Sequence, residues 1–497
     1  MADEKLKTVV VLGGAYAGAR AVQILSKGLP EGWRIILVDR NTHINHVYVF
    51  PRLAVLPGHE HKGFVPFDKL LTPTRDRDLC LHALVRSVHS SYVVLDRSFP
   101  DRGILTSELH FDYLIYALGS RLPAPLDLWG SHPQSGNTLK DAEVLKPYTG
   151  TKQDGIAWLK AHQEVIKNSE SILVVGGGAL GIQFATDIYA IHPGKDITLL
   201  HSRHRLLPRF DEKMHTEILD TLIACNIQVI LGERLDTRSV LEGRTKFNGR
   251  GQRVIKTLQG REVAADLILL CTGQKPNTHF LSEMDPRCVN PHDGLAHVLR
   301  TMQLGTLPTS HSTYSSECTT PTVSWSPSAS SVNLCSPEEE LEDALAQIAM
   351  TNIEPNSQIA PSLQDDDSEL NSNETEEVET TPYQNIFVVG DAADAFGAIP
   401  AGHTAYYQGE VAARNILRLI RRSGLSQNKE ENSTEEEPLE DYMPGLPAIK
   451  ISLGLTKSAY QANGVVRTSD DGVPDLNAAA IWAYFGYEVE KDEDMYA

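Results

Sequence analysis

Cysteine is scarce in this chain and follows no pattern. The 6 thiols among 497 residues, Cys80, Cys225, Cys271, Cys288, Cys318 and Cys335, form no C-x-x-C pair and no regular spacing. That excludes a disulfide framework and a zinc site, and it fits a reducing compartment. No apolar run approaches the roughly 20 residues of a membrane span. Positive charge is short as well: 45 Lys and Arg stand against 65 Asp and Glu, for a net charge of -20. A nucleic-acid partner needs basic patches, so none is expected. The opening Met1-Ala-Asp-Glu-Lys runs directly into an apolar strand, which leaves no room for a signal or transit peptide. Ala2 lacks the glycine that N-myristoylation needs. The expected compartment is the cytoplasm.

Glycine, by contrast, is placed in two telling stretches. One is Thr8-Val-Val-Val-Leu-Gly13-Gly14-Ala15-Tyr16-Ala17-Gly18, and the other is Ser171-Ile-Leu-Val-Val-Gly176-Gly177-Gly178-Ala179-Leu180-Gly181. An apolar strand that turns through glycines into a helix brings backbone N–H groups and a helix N-terminus up to a pyrophosphate. One such match arises often by chance, so context has to decide. The second has all three fingerprint glycines, a helix-compatible run from Ile182 to Tyr189, and a further strand from Asp196 to Leu200. The first has Ala15 where the second glycine belongs, and a methyl there narrows the approach to a pyrophosphate. Its support is Arg34-Ile-Ile-Leu-Val-Asp39, a strand ending in an acid about 20 residues past the glycines, where a carboxylate meets a ribose diol. Two turns predict two bound dinucleotides, a flavin and a nicotinamide, with electrons passing between them.

Each turn opens a unit that closes on an apolar strand ending in glycine: Phe111 to Ser120, with Gly119, and Asp266 to Gly273. The repeat reads as a duplication, or as one fold inserted in another. Alternating strands and helices predict an α/β chain with a parallel sheet and helices on both faces. From about Leu304 to Pro382 the chain is rich in Ser, Thr and Pro and then in acids, too poor in apolar surface to offset the cost of ordering it. A short helix from Glu338 to Met350 is compatible with that stretch. Order resumes at Asn385-Ile-Phe-Val-Val-Gly390-Asp391. There the carboxylate can accept from a ribityl hydroxyl while the next helix N-terminus faces a flavin. The division expected is a flavin domain in two parts, 1–150 and 383–428, with a nicotinamide domain at 151–304 and an acidic insert at 305–382. An acidic linker at 429–441 leads to a C-terminal interface region at 442–497, whose apolar run Asn477 to Phe485 suits an interface, a homodimer or peripheral membrane contact.

In this order the motifs resemble the FAD-dependent pyridine nucleotide-disulfide oxidoreductases. They are most similar to the apoptosis-inducing-factor-like branch that includes the ferroptosis suppressor, in its fungal form. The resemblance covers about residues 8–304 and 383–490. It implies two Rossmann-like domains of the three-layer ββα type, the NAD(P) domain inserted in the FAD domain. It places the FAD diphosphate on Gly13, Gly14, Ala15, Tyr16, Ala17 and Gly18, and the adenosine ribose on Asp39. Arg52 would contact FAD, Val85 would offer its backbone to adenine, and Gly119, Gly390 and Asp391 would line the flavin. The family commonly has Ala-Thr-Gly where this chain has Ala117-Leu118-Gly119.

Gly176, Gly178 and Gly181 would hold the nicotinamide dinucleotide. The acid expected for an NAD ribose is absent, and the chain reads Leu200-His201-Ser202-Arg203. An arginine attracts a 2′-phosphate, and a charge-assisted bond of about 1.5–3 kcal/mol is roughly a 10- to 100-fold preference. Arg203 therefore favours NADPH over NADH, unless it is a solvated charge like Arg205 and Arg209. Disulfide reductases carry a cysteine pair on the segment after the ribose acid. Here it reads Asn41-Thr-His43-Ile-Asn-His46-Val-Tyr48, without a thiol. A quinone or another small oxidant is then the natural electron acceptor, and association with a membrane such as the mitochondrial outer membrane stays open. The competing reading is a redox-responsive flavin and NAD(P)H-binding signalling protein with little turnover.

Overall fold

The computed structural model describes residues 6–71, 75–130, 147–240, 245–307, 381–425 and 437–496. Residues 308–380 of the acidic insert, including the helix expected at Glu338 to Met350, lie outside the described residues, as does the linker up to 436.

Strand Lys7–Leu12 is buried along Val9 to Leu12, as a parallel strand covered on both faces must be. It pairs in parallel with Trp33–Asp39 on one side and Tyr113–Tyr116 on the other. The whole sheet runs Gln303–Leu304, Tyr383–Val388, Tyr113–Tyr116, Lys7–Leu12, Trp33–Asp39, Leu79–His82. The strand that ends on Gly390-Asp391 thus lies two places from the strand that enters the first glycine turn. The helix Tyr16–Gly28 buries small residues, Ala17, Ala19 and Ala21, and packs against the helix Gly402–Leu425. A methyl added at Gly409 would stand 2.3 Å from the Ala17 carbonyl oxygen, so the two helices touch backbone to backbone.

The second unit is a parallel sheet in the order Gln228–Leu231, Asp196–His201, Ser171–Val175, Leu267–Leu270. Side chains alternate along its central strand. Ile172 and Val174 pack with Ile182, Ala185 and Ile188 of helix Ala179–Ile191 and with Met214, Ile218 and Leu222 of helix Glu212–Ala224. Leu173 and Val175 pack with Ile255 and Ala265, from an antiparallel ribbon of Lys246–Phe247, Arg253–Lys256 and Glu262–Ala265. The first unit carries a matching ribbon of Val85–Val88, Tyr92–Leu95 and Glu108–His110. Helices on both faces, the simplest reading of alternation, are thereby corrected. The connection into each unit's last strand is a ribbon, so one face takes helices and the other takes strands, giving the three-layer ββα arrangement.

The chain passes between units through a two-stranded antiparallel ribbon, Ser120–Arg121 with Lys275–Pro276. The return falls there and not at residue 304, because Leu281, Cys288, Ala296, Met302 and Leu304 are buried in the first unit's core. The C-terminal region packs on its own chain. Its strands Ile449–Ser452, Ser458–Ala462 and Val465–Ser469 bury Ile451 and Ala459 in the second core, while Trp482 and Phe485 enter the first.

These three parts meet at Arg52, on the short helix Phe50–Leu53. Its guanidinium is fully buried, 2.9 Å from the equally buried Asp187 carboxylate of helix Ala179–Ile191. It also donates to the carbonyls of Gly454, Leu455 and Pro474. Burial outweighs the neighbouring charge at Asp187 and pushes its carboxyl up to about 6. Removing one partner of such a pair leaves the other charged and desolvated, which costs about 3–5 kcal/mol. Arg52→Ala should lower stability by that order in urea denaturation followed by tryptophan fluorescence, and a loss below about 1 kcal/mol would remove Arg52 from this role.

Candidate dinucleotide sites

The two glycine turns share their backbone at the first and third residues and differ at the fourth, where only Tyr16 has a positive φ. Gly18 and Gly181 close each turn so tightly that an added methyl would stand 1.8 Å from the Gly13 carbonyl oxygen and 1.9 Å from that of Gly176. Gly13 (φ 92°) and Gly176 (φ 127°) take a conformation closed to other residues. Ala15 does not. With φ -88° and ψ 162° it is extended, matching Gly178 at φ -86° and ψ 179°, so an alanine fits the first turn without strain. Neither Ala15 nor Gly178 gives its helix a side-chain cap. No cap side chain therefore competes with an anion for the N–H groups at either helix start, though the Gly18 N–H already reaches the Ala15 carbonyl at 2.9 Å. Nothing stands within 4 Å of where a Gly178 side chain would be. These observations fit a pyrophosphate at each turn.

Asp39 ends its strand beside the first turn. Its Oδ2 accepts from the Gly14 N–H at 2.6 Å and its Oδ1 from the Asn41 N–H at 2.7 Å, and burial raises its pKa. A cavity of about 550 Å³ opens next to it, lined among others by Asn41, Thr42, Phe67, Cys80 and His82. Val85 begins the ribbon just past His82.

Gly119, Gly390 and Asp391 converge on the same sheet end. Gly119 (φ 58°) follows strand Tyr113–Tyr116, and its carbonyl accepts from the Asn277 N–H at 2.9 Å. The Asp391 carboxylate accepts from Ser120 Oγ at 2.9 Å and Gln274 Nε2 at 2.6 Å, the first on one strand of the crossing ribbon and the second just before the other. Gly390 donates to Gln408 Oε1 at 2.7 Å, fixing the strand end to helix Gly402–Leu425. Tyr16 is held at φ 23°, a strained value that its surroundings impose. Its ring meets Tyr406 edge-on at 5.5 Å, and its hydroxyl accepts from the Tyr48 N–H at 3.3 Å and lies 3.1 Å from His46 Nδ1. Burial lowers His46 to about 4, so its imidazole is neutral near pH 7. It lowers His403 as well.

Arg52 is committed to Asp187 and three carbonyls, with only Nε lacking a protein acceptor among the described residues. On the second unit Arg203 is exposed past the end of strand Asp196–His201. The residue that occupies the place of Asp39 is His201, whose Nδ1 accepts from the Gly177 N–H at 3.0 Å. Counting strand ends, not residues from the glycines, would have found it. Ser120, Gln274, Asn277 and Gln408 left no motif to find, since topology alone brings them to the site.

Fold and site together define a class, the flavoprotein oxidoreductases that bind FAD and NAD(P)H in paired Rossmann-like units. This chain belongs to the pyridine nucleotide-disulphide oxidoreductase family, whose model matches residues 7–298. It is 36% identical over 494 residues to Fe-regulated protein 8 of Mycosarcoma maydis, covering 97% of this chain and 96% of that one. It is 28% identical over 280 residues to ferroptosis suppressor protein 1 of Taeniopygia guttata, covering 54% of this chain and 63% of that protein. Among solved structures, the sulfide:quinone oxidoreductase of Aquifex aeolicus matches with a TM-score of 0.57 at 16% identity, over 96% of this chain and 90% of that one. The water-forming NADH oxidase of Lactobacillus brevis matches at 0.51 and 16% identity, over 91% and 74%. These two likenesses show the fold. No helix among the described residues is long and apolar enough to cross a membrane.

The close approaches at Gly18 and Gly181 separate the two sites experimentally. Gly18→Ala should abolish FAD retention, read as the ratio of absorbance at about 450 nm to that at 280 nm. Gly181→Ala should keep FAD and weaken NADPH binding by about 100-fold or more, since a methyl there cannot be accommodated without moving the turn. Equal FAD loss in both variants would count against separate sites.

Proposed function

We propose that this chain takes hydride from NAD(P)H and delivers electrons to a quinone-like acceptor without a redox-active disulfide. The observation that carries this reading is the segment from Asn41 to Arg52, which leads past the first turn and contains no cysteine. The four described cysteines are free, and burial pushes the thiols of Cys80 and Cys288 up to about 12, far from the reactive thiolate range. Bound flavin supplies the redox chemistry, accepting hydride and releasing electrons. The protein's part is to hold and orient. Gly13, Gly14, Ala15, Tyr16, Ala17 and Gly18 bind the FAD diphosphate, Asp39 the ribose, the Val85 backbone the adenine, and Gly119, Gly390 and Asp391 the ribityl side. Gly176, Gly178 and Gly181 bind the nicotinamide diphosphate, and Arg203 attracts a 2′-phosphate. The Tyr16 hydroxyl accepts from the Tyr48 N–H, and in the proposed tautomer it donates its own proton to His46 Nδ1. His46 then carries its proton on Nε2, where it can serve an acceptor that gains two electrons and two protons.

Anaerobic stopped-flow absorbance tests this directly. NADPH should bleach the flavin band, and a soluble quinone should restore it within seconds. A reduced protein that ignores quinone would indicate a sensor or a different acceptor. Arg203→Ala should raise the Kd for NADPH by about 10- to 100-fold and leave that for NADH unchanged. Equal effects on both would make Arg203 a general surface charge.

A further inference from the structure

The two turns are closed by different side chains at one structural position. Asp39 and His201 are each the last residue of the strand that follows the turn's helix. Gly14 and Gly177 are each the turn's second residue. Asp39 accepts from Gly14 through a δ oxygen at 2.6 Å, and His201 accepts from Gly177 through its δ nitrogen at 3.0 Å. The His201 ring lies against the turn itself, since a methyl added at Gly177 would stand 2.6 Å from its Cγ. Its Nε2 is 3.1 Å from the Arg205 carbonyl oxygen. The Gly177 N–H can only donate, so Nδ1 is the acceptor and the ring proton sits on Nε2, donated to Arg205. Both nitrogens are engaged, and no lone pair remains for a ribose hydroxyl.

We propose that His201 is a proton-sensitive positioning residue: neutral, it holds the Gly177 N–H and with it the pyrophosphate-binding turn; protonated, it releases the turn and weakens nicotinamide dinucleotide binding. A protonated ring sets Nδ1–H against the Gly177 N–H, donor against donor, and the bond cannot survive in place. The flavin-side turn is free of this effect, because a carboxyl keeps an acceptor oxygen whether ionised or not.

The charged and titratable neighbours of His201 come from three elements. Arg203 and Arg205 lie on its own loop. His215, whose Nδ1 accepts from the Leu206 N–H at 3.1 Å, comes from helix Glu212–Ala224. Glu233, whose N–H donates to the His201 carbonyl at 3.2 Å, turns its carboxylate away to Thr257 and Arg261. Burial, followed by Arg203 and His215, lowers the His201 pKa below its ordinary 6.5. A lowered imidazole pKa means that the turn is held at neutral pH and loses its clamp only as pH falls below that value.

The test is the Kd of NAD+, which cannot pass hydride to the flavin, for the FAD-loaded full chain, measured by isothermal titration calorimetry from pH 8 to 5.5. NAD+ also lacks a 2′-phosphate, a group that titrates near 6 and would mask the effect. The wild type should lose about 5- to 10-fold in affinity on acidification, the worth of one hydrogen bond. His201→Asn puts an acceptor at the δ position that does not titrate, so its affinity should match the neutral wild type and stay flat with pH. His201→Ala should bind about 5- to 10-fold more weakly at every pH. FAD content and thermal midpoint should be unchanged in both, which separates loss of the clamp from loss of the fold. A flat wild-type profile, an H201N variant with the wild-type slope, or affinity that rises in acid would overturn the proposal.

Discussion

The relative placement of the two dinucleotide units depends on one buried guanidinium. Taking Arg52 and Asp187 out of water carries an effective penalty of several kcal/mol per ion. The carbonyls of Gly454, Leu455 and Pro474 help to offset it by accepting from the two terminal nitrogens of the guanidinium. Those carbonyls come from the C-terminal region, so the flavin-side unit, the nicotinamide-side unit and that region are fastened in one contact. Hydride transfer requires reacting atoms about 3–3.5 Å apart, a distance that a loose junction between units could not keep. Asp187 lies on the helix that starts at the second turn, and Arg52 follows the segment that carries His46 beside the first. The ion pair therefore ties the helix behind one turn to the segment beside the other.

The turns, the closing strands and Asp391 were legible because backbone constraints leave marks in sequence. A methyl at Gly18 or Gly181 would collide with a carbonyl, so only glycine stands there, and a strand buried on both faces reads as unbroken Val, Ile and Leu. The layer arrangement was less legible. Strands such as Glu262–Ala265 are short and half-exposed, with no period to distinguish them from loop. The return crossing leaves little mark in sequence, because Leu281 and Met302 are apolar in either unit and only packing decides which core they enter. Side chains that meet across the chain, such as Ser120, Gln274 and Asp391, were beyond reach for the same reason. Arg203 was found by counting from glycines, whereas strand register points to His201, two residues earlier and in contact with the turn.

Two sites built alike have opposite duties, and the difference lies in what each clamp can do besides clamping. A flavin must stay bound through many cycles, while a nicotinamide dinucleotide must leave after each hydride. Asp39 holds its turn and keeps a charged group beside the cavity that opens at its strand end, so one residue can serve both turn and ribose. His201 holds its turn with one nitrogen and engages Arg205 with the other, leaving nothing for the ribose. Its affinity contribution is then confined to ordering the turn, worth about one hydrogen bond. On the proposed reading the remaining discrimination passes to Arg203, an exposed charge whose pull on a 2′-phosphate falls as salt rises. A site that binds through an ordered backbone and a screened charge exchanges its ligand readily. On the proposal made for His201, what distinguishes the second turn from the first is that its acceptor is an imidazole and not a carboxyl.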